Sequence, residues 1–207
     1  MRGALPTHWL ISMPEMLQLL SQTPCPGGYT HLRIAAPNIA QQAQPGQHVK
    51  WGQQTLQIMR ANPAAGWIEL LSNTTIPSDD TVDGPHGEAL QWDASKACSL
   101  LIAQLATLPS LIFLAEKLSK CANHTTLVLL QADHPLPFRP APCRTLIPGM
   151  PAEAIATLPL LNDWGIAVRI ASRQGLPGCF DGDVEQLAAQ WLAAQSNVDG
   201  IGVIRLL

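Results

Sequence analysis

The fold of this chain is decided by residues 84–103, GPHGEALQWDASKACSLLIA, because the sequence pattern changes within them. The segment opens with the turn-forming residues Gly84-Pro85-His86-Gly87 and ends with the apolar run of residues 97–103. Such an unbroken apolar run is typical of a strand that is covered on both faces of a parallel sheet. We therefore predict one domain over residues 1–92 and a second over residues 93–207.

Before this boundary the sequence predicts short strands separated by turns. Residues 29–35 read as a strand, and the turn pair Pro45-Gly46 precedes another at residues 48–51. Residues 55–59 and 66–71 have the pattern of a hairpin. This half has no long helical pattern. Closely spaced short strands predict a small antiparallel β-barrel.

After the boundary, predicted strands and helices alternate. The strands are predicted at residues 97–103, 126–131, 166–171 and 203–207, and the helices at residues 109–121, 151–163 and 183–195. Pro109 suits a first helical turn, where its missing N–H costs nothing. The alternation predicts a parallel α/β domain with helices on both faces of its sheet, an architecture that binds ligands beyond the carboxyl ends of its strands.

Composition excludes several classes of partner. The net charge is −3, and the 12 Lys and Arg residues are scattered, so we expect no nucleic acid partner. The longest apolar stretch, residues 97–114, is interrupted by polar residues and proline, and residues 1–6 do not read as a signal peptide. We therefore expect a cytoplasmic protein without membrane attachment. Its five cysteines form no C-x-x-C pair and are predicted to be free thiols.

Several motifs occur in an order that matches a known family. Pro45-Gly46-Gln47 precedes a predicted barrel strand, and Gly84-Pro85-His86-Gly87 closes the barrel. LIFLAEKL at residues 111–118 follows an apolar strand, and residues 170–172 lead into the glycine-containing stretch 175–184. In this order and spacing the chain resembles the ferredoxin–NADP reductase superfamily, and within it the electron-transfer subunit of dihydroorotate dehydrogenase.

The resemblance implies an FAD-binding barrel followed by a domain that binds a nicotinamide dinucleotide. The positions that correspond to the family's flavin wall are Gln57, Ile58, Pro85 and Gly87. Ser172 and Arg173 correspond to the place near the adenine ribose where the family discriminates between cofactors. Arg173 would hold a 2′-phosphate there, or it is a solvated loop arginine.

The departures from the family pattern concern the cofactors. Residues 54–58, QTLQI, stand where the family has an arginine and a hydroxyl residue that contact FAD, and residues 72–83 carry three aspartates, at positions 79, 80 and 83. Residues 103–109, AQLATLP, replace the glycine turn through which backbone N–H groups approach a diphosphate. The family's iron–sulfur cysteines have no counterpart, so we expect no iron–sulfur cluster, and either no cofactor or FAD.

Other candidate residues leave alternatives open. His86 is a proton donor or flavin contact, or a surface-loop histidine, since no partner carboxylate is in view. Cys179, which precedes a predicted helix, is a thiol with a lowered pKa or a structural thiol. The remaining candidates are Cys121, His124, His134 and Cys143, which fit no familiar zinc pattern, and Trp51, Trp67 and Trp92, which suit either a core or an interface.

Two functions follow from these observations. The first is a degenerate relative with weakened or lost flavin and nicotinamide binding, which serves as an interaction or accessory electron-transfer module for a partner protein or as a homodimer. The second is an active FAD-dependent oxidoreductase that passes electrons from NAD(P)H to a partner protein. The resemblance supports the second, and the cofactor departures favour the first.

Overall fold

Alternating apolar residues build an antiparallel barrel in the first half of the computed structural model, which describes residues 15–75, 81–93 and 95–206. The strands are β1 (Glu15–Met16), β2 (Gln18–Pro24), β3 (Thr30–Ala35), β4 (His48–Trp51), β5 (Gln54–Asn62), β6 (Trp67–Ser72) and β7 (Thr81–His86), and helix α1 (Pro37–Gln42) follows β3. Their order is β1-β7-β4-β5-β6-β3-β2. Because β1 and β2 are separated only by Leu17 and pair at opposite ends of this order, they close the sheet on itself.

The barrel interior is formed by every second residue of its strands. Leu32 of β3 pairs with Leu70 of β6, and Ile34 pairs with Ile68, and all four side chains are fully buried. Residues between them, such as Arg33 and Glu69, point to the opposite face, since successive side chains alternate across a strand. That outer face is the one that meets the second half of the chain.

The second half contains a five-stranded parallel sheet. Its elements are β8 (Cys98–Gln104), α2 (Leu108–Ser119), β9 (Thr125–Gln131), β10 (Ala141–Pro142), β11 (Ala156–Thr157), α3 (Pro159–Asp163), β12 (Ala167–Ser172), β13 (Phe180–Asp181), α4 (Val184–Ala193) and β14 (Ile201–Leu206). The order of the parallel strands is β13-β12-β9-β8-β14, while β10 and β11 form a separate antiparallel pair. The prediction of a β-barrel followed by a parallel α/β domain is confirmed, and the boundary between residues 92 and 93 stays a prediction.

The predicted helix over residues 151–163 is wrong for most of its length. Only Pro159–Asp163 is helical, and Ala156–Thr157 is a strand that pairs with Ala141–Pro142. The backbone N–H groups of Ile155 and Ala156 both donate to the carbonyl oxygen of Gly178, at 2.8 and 2.6 Å. Tertiary hydrogen bonds to distant residues therefore override the apolar pattern of this segment.

The two halves meet where α2 packs along β5. Met59 of β5 is buried in the core of the second half, and Phe113 of α2 is buried in the core of the barrel. Arg60 on β5 is bonded to Glu116 on α2 through two nitrogens, each 3.1 Å from a carboxylate oxygen. This exchange of side chains holds the barrel against the parallel sheet.

Two further predictions concern the described part of the chain. None of its helices has the length and apolar character needed to cross a bilayer. All five cysteines are free, and they range from exposed Cys121 to buried Cys179. Residues 1–6, which we expect not to form a signal peptide, lie outside the described residues, and so do the aspartates at positions 79 and 80.

Candidate cofactor crevice

A crevice of about 260 Å³ separates the barrel from the carboxyl end of β8. Its walls are formed by Tyr29, Thr55, Leu56, Gln57, Leu71, Asn73, Leu105, Ala106 and Pro109. In the sheet, β8 lies between β9 and β14, so the chain reverses its direction of winding here. Ligands of open parallel sheets bind at such a reversal, beyond the carboxyl ends of the strands. The crevice is therefore the place where this fold offers a cofactor site.

Gln57 is the one predicted flavin-wall residue among those that line the crevice. Its side-chain oxygen accepts a hydrogen bond of 2.8 Å from the hydroxyl of Ser110, which lies on α2 and is 4% exposed. A serine or threonine at position 57 would not span this gap. The glutamine thus connects the barrel to α2 across the edge of the crevice.

The turn between β8 and α2 is filled with side chains. Leu105 is 9% exposed and packs into the core of the second half. The Thr107 hydroxyl lies 3.0 Å from the carbonyl oxygen of Gln104 and 2.7 Å from that of Leu206 at the end of β14. Gln104 and Thr107 have φ of −99° and −102°, so they do not have the left-handed conformation with which backbone N–H groups form an anion-binding nest.

Ile58, Pro85 and Gly87 are not among the residues that line the crevice. The Ile58 side chain is fully buried in the barrel core. Gly87 follows β7, and its carbonyl oxygen accepts a 3.0 Å hydrogen bond from the side-chain amide of Gln47. Residues Pro45-Gly46-Gln47 and the end of β7 are thus bonded to each other. The assignment of these residues as flavin contacts stays a prediction.

Ser172 and Arg173 lie together at the carboxyl end of β12. Ser172 is fully buried, and its hydroxyl accepts a hydrogen bond from the backbone N–H of Gln174. Arg173 binds Asp133 through its backbone N–H (2.8 Å), its Nε (2.8 Å) and a terminal nitrogen (2.6 Å). Burial raises the pKa of Asp133, but the hydrogen bonds from Arg173 and Gln131 outweigh it and lower the pKa. A 2′-phosphate would compete with this carboxylate for Arg173.

No family model matches the chain, and no curated protein matches it in sequence. A solved structure of an NADH-dependent reduced ferredoxin-NADP oxidoreductase is similar, with a TM-score of 0.62 and 15% identity over 87% of this chain and 64% of that one. The flavohem-like FAD/NAD binding domain of nitric oxide dioxygenase from Vibrio cholerae O1 biovar El Tor has a TM-score of 0.57 and 10% identity, over 92% of this chain and 98% of that one. The chain has a ferredoxin reductase-like fold.

Phthalate dioxygenase reductase shares this fold, with a TM-score of 0.59 and 11% identity over 93% of this chain and 60% of that one. This chain therefore spans 64% and 60% of the length of two of these reductases. At such identities the similarity establishes the ferredoxin reductase-like fold, and function has to be argued from the residues of the site.

The residues of the crevice do not fit the diphosphate of FAD or of a nicotinamide dinucleotide. None of the nine residues that line it carries a charge, whereas a diphosphate needs cations or converging backbone N–H groups. Of the three aspartates at positions 79, 80 and 83, Asp83 is described; it does not line the crevice, and its Oδ1 atom is buried without a hydrogen bond. At about 260 Å³ the crevice is also smaller than typical ligand pockets, which measure about 300–1,000 Å³.

His86 has a carboxylate partner that its sequence neighbourhood did not suggest. Its Nε2 atom lies 2.9 Å from Oδ2 of Asp83, on the same strand. His86 also faces His48 across β4 and β7, with ring centroids 5.8 Å apart. Burial, His86 and Lys50 together lower the pKa of His48. His86 therefore has a carboxylate partner, and none of these groups lines the crevice; the choice between a proton donor or flavin contact and a surface histidine stays open.

The cysteine and histidine candidates have separate environments. Within residues 15–75, 81–93 and 95–206, no three His, Cys, Asp or Glu side chains are placed to share a metal ion. His124 lies 3.0 Å from the carbonyl oxygen of Lys96 and 3.0 Å from the Ser99 hydroxyl. Cys179 is buried, and burial raises its pKa, opposite to the lowering expected from a helix N-terminus; this favours the structural alternative.

The three tryptophans have different roles in packing. Trp51 is 1% exposed in the barrel core, and Trp92 packs against the core of the second half. Trp67 lies on the outer face of the barrel, where the guanidinium of Arg33 is 4.5 Å from its ring centre. Core packing therefore explains Trp51, and Trp67 contributes a cation–π contact near the interface between the halves.

Sequence reasoning missed a network of charged side chains between the two halves. Glu69 on β6 is 2% exposed, and it lies 2.6 Å from Arg33 and 3.4 Å from both Arg60 and His31. Burial raises the pKa of Glu69, but the opposing effect of His31, Arg33 and Arg60 is larger and lowers the pKa to about 2. In the sequence these residues occupy ordinary outward-facing strand positions, which gives no signal that they pair with one another or, through Arg60, with Glu116 of α2.

Proposed function

We propose that this chain is a ferredoxin reductase-like protein with weakened or lost flavin and nicotinamide binding, related to the electron-transfer subunit of dihydroorotate dehydrogenase. It works as an interaction or accessory electron-transfer module in the cytoplasm, through a partner protein or as a homodimer. The observation that carries this proposal is the uncharged crevice of about 260 Å³, whose β8–α2 turn is filled by Leu105 and Thr107.

The chemistry of the crevice disfavours dinucleotides in particular, because they carry a diphosphate, and it does not disfavour every ligand. Bringing a diphosphate beside uncharged side chains leaves its negative charges without partners, and this costs several kcal/mol. Opening the turn would in addition break the contact between Thr107 and Leu206, which connects the β8–α2 turn to β14. These costs act against FAD and NAD(P)H alike, because both carry a diphosphate.

The alternative is an active FAD-dependent oxidoreductase that passes electrons from NAD(P)H to a partner protein. One observation favours it: the turn at Pro45-Gly46-Gln47 remains bonded to the end of β7 through Gln47 and Gly87, as a working barrel would need. The crevice also lies between the two halves, where the fold offers a cofactor site.

The visible spectrum of the purified protein, before and after FAD is added, distinguishes the two functions. We expect a colourless protein from which FAD separates during gel filtration, and no oxidation of NADH or NADPH. Flavin absorption bands that stay with the protein through gel filtration would refute the proposal. Bleaching of those bands by NADH or NADPH would establish the oxidoreductase.

A variant pair shows whether any flavin that binds does so in the crevice. Gln57→Trp puts a large ring into the crevice, and Gln53→Trp puts the same ring on an exposed turn of the barrel. If the crevice holds a flavin, Gln57→Trp releases it and Gln53→Trp retains it. Under our proposal neither variant changes the spectrum.

A further inference from the structure

A second cavity, of about 320 Å³, lies between the outer face of the barrel and α2. We call it the seam cavity. It is walled by β3, β5 and β6 on one side, and by α2 and the segments around residues 137–138 and 158–160 on the other. Apart from Leu71, none of its lining residues lines the crevice. The seam cavity is therefore a separate place for a ligand, independent of the proposed loss of cofactors.

Most of the seam cavity is lined by apolar side chains. They include Met59, Leu108, Ile112, Phe138, Leu158 and Leu160. The seam cavity is open to solvent on one side and has a volume of about 320 Å³. At the packing density of protein interiors this space accommodates roughly ten to fifteen non-hydrogen atoms.

The charged groups at one end of the seam cavity are already paired with one another. Arg33 and Arg60 pair with Glu69 and Glu116; His31, which also lines the cavity, lies 3.4 Å from Glu69, and Lys120 at the surface lies 3.1 Å from Glu116. Arg33 donates to Glu69 through Nε (3.0 Å) and a terminal nitrogen (2.6 Å). Arg60 donates to Glu116 through two nitrogens, and its third nitrogen lies 3.4 Å from Glu69.

This balance determines the charge of the ligand. An anion would have to displace Glu69 or Glu116 from a guanidinium group, and a cation would have to compete with Arg33 and Arg60 for the same carboxylates. Either ion would also lose part of its hydration beside the apolar walls. An uncharged molecule meets neither cost, and it gains from burial of its apolar surface.

We propose that the seam cavity binds an uncharged, mainly apolar small molecule of about ten to fifteen non-hydrogen atoms. The proposal assigns the protein a binding activity that needs no flavin and no nicotinamide. It stands or falls on this cavity alone, because a protein that failed to bind FAD would still bind such a molecule here.

Methyl NMR with three probes of the same shape tests the proposal. The probes are 2-naphthol, which is uncharged, 2-naphthoate, which is an anion, and 2-naphthylmethylammonium, which is a cation. The protein carries ¹³C-methyl methionine, so that Met59, 7% exposed and lining the seam cavity, reports on binding. Met16, which is 76% exposed, serves as the internal reference.

We expect 2-naphthol to shift the Met59 methyl signal and to bind at least about tenfold more tightly than either ion, while Met16 stays unchanged. Leu160→Trp should fill the seam cavity and abolish the shift, and Leu146→Trp, at a position 91% exposed, should retain it. The probe series on the unmodified protein decides the matter even if Leu160→Trp fails to fold. An unmoved Met59 signal, an ion that binds as tightly as 2-naphthol, or undiminished binding in folded Leu160→Trp would each overturn the proposal.

Discussion

Replacing Glu69 by glutamine removes the carboxylate that His31, Arg33 and Arg60 share on the outer face of the barrel. Glu69 is 2% exposed, and folding lowers the pKa of its carboxyl from 4.5 to about 2. A shift of this size corresponds to about 3 kcal/mol of folding stability at neutral pH. We therefore expect Glu69→Gln to lower the free energy of unfolding by about 3 kcal/mol, since Arg33 and Arg60 lose the carboxylate that they share.

The same linkage gives the pH dependence of the effect. The folded-state pKa of Glu69 lies below the unfolded-state value, so the stabilisation is complete above the unfolded-state pKa of 4.5 and is lost as the pH falls through about 2. The difference in unfolding free energy between the wild type and Glu69→Gln should accordingly shrink to about 1 kcal/mol at pH 3.

Urea unfolding followed by tryptophan fluorescence, at pH 7 and pH 3, measures both quantities. The matched control is Glu185→Gln, which breaks an ion pair with Arg205 in which both side chains are more than 40% exposed. Such surface pairs contribute less than about 1 kcal/mol. The reasoning is refuted if Glu69→Gln costs no more than this control at pH 7, or if its cost is as large at pH 3 as at pH 7.

Three other perturbations test local features of the fold. Gly46→Ala should lower the melting temperature more than Gly28→Ala does. Both glycines have positive φ (91° and 78°), but a β-carbon at position 46 would lie 2.7 Å from a neighbouring side chain, while position 28 is open. Equal decreases in melting temperature would contradict this. Asp183→Ala should cost about 1 kcal/mol by removing the N-cap of α4, and Asp183→Ser should restore most of it; a neutral alanine variant would show that the cap does not contribute. In the folded protein a thiol reagent should label exposed Cys121 first and buried Cys179 only on unfolding, since burial both shields the Cys179 thiol and raises its pKa; equal labelling rates would count against the burial.

Local sequence patterns were sufficient to predict most strands and helices. The unbroken apolar run at residues 97–103 became the interior strand β8, and the face of Val184, Leu187 and Trp191 became the buried side of α4. These elements depend on the spacing of apolar residues, which is written into adjacent positions of the chain. The segment at residues 151–163 failed as a prediction because its hydrogen-bond partner, Gly178, is distant in the sequence.

The candidate site was predicted only in part, for the same reason. The absence of glycine in the β8–α2 turn was visible in the sequence, and so was the family pattern that pointed to Gln57. The bond between Gln57 and Ser110 depends on how α2 packs along β5, as do the carboxylate partners of Arg173 and Arg60. A charged residue in a sequence does not reveal whether its partner will be water or another side chain.

By itself the sequence determined the β-barrel followed by a parallel α/β half and the absence of glycine from the β8–α2 turn, because both follow from residue types at neighbouring positions. Only the tertiary structure decided that Glu69 would be buried among three basic side chains and that a seam cavity would remain beside it. The physical reason is that burial and charge pairing belong to contacts among β3, β5, β6 and α2, which bring together residues that are far apart in the sequence.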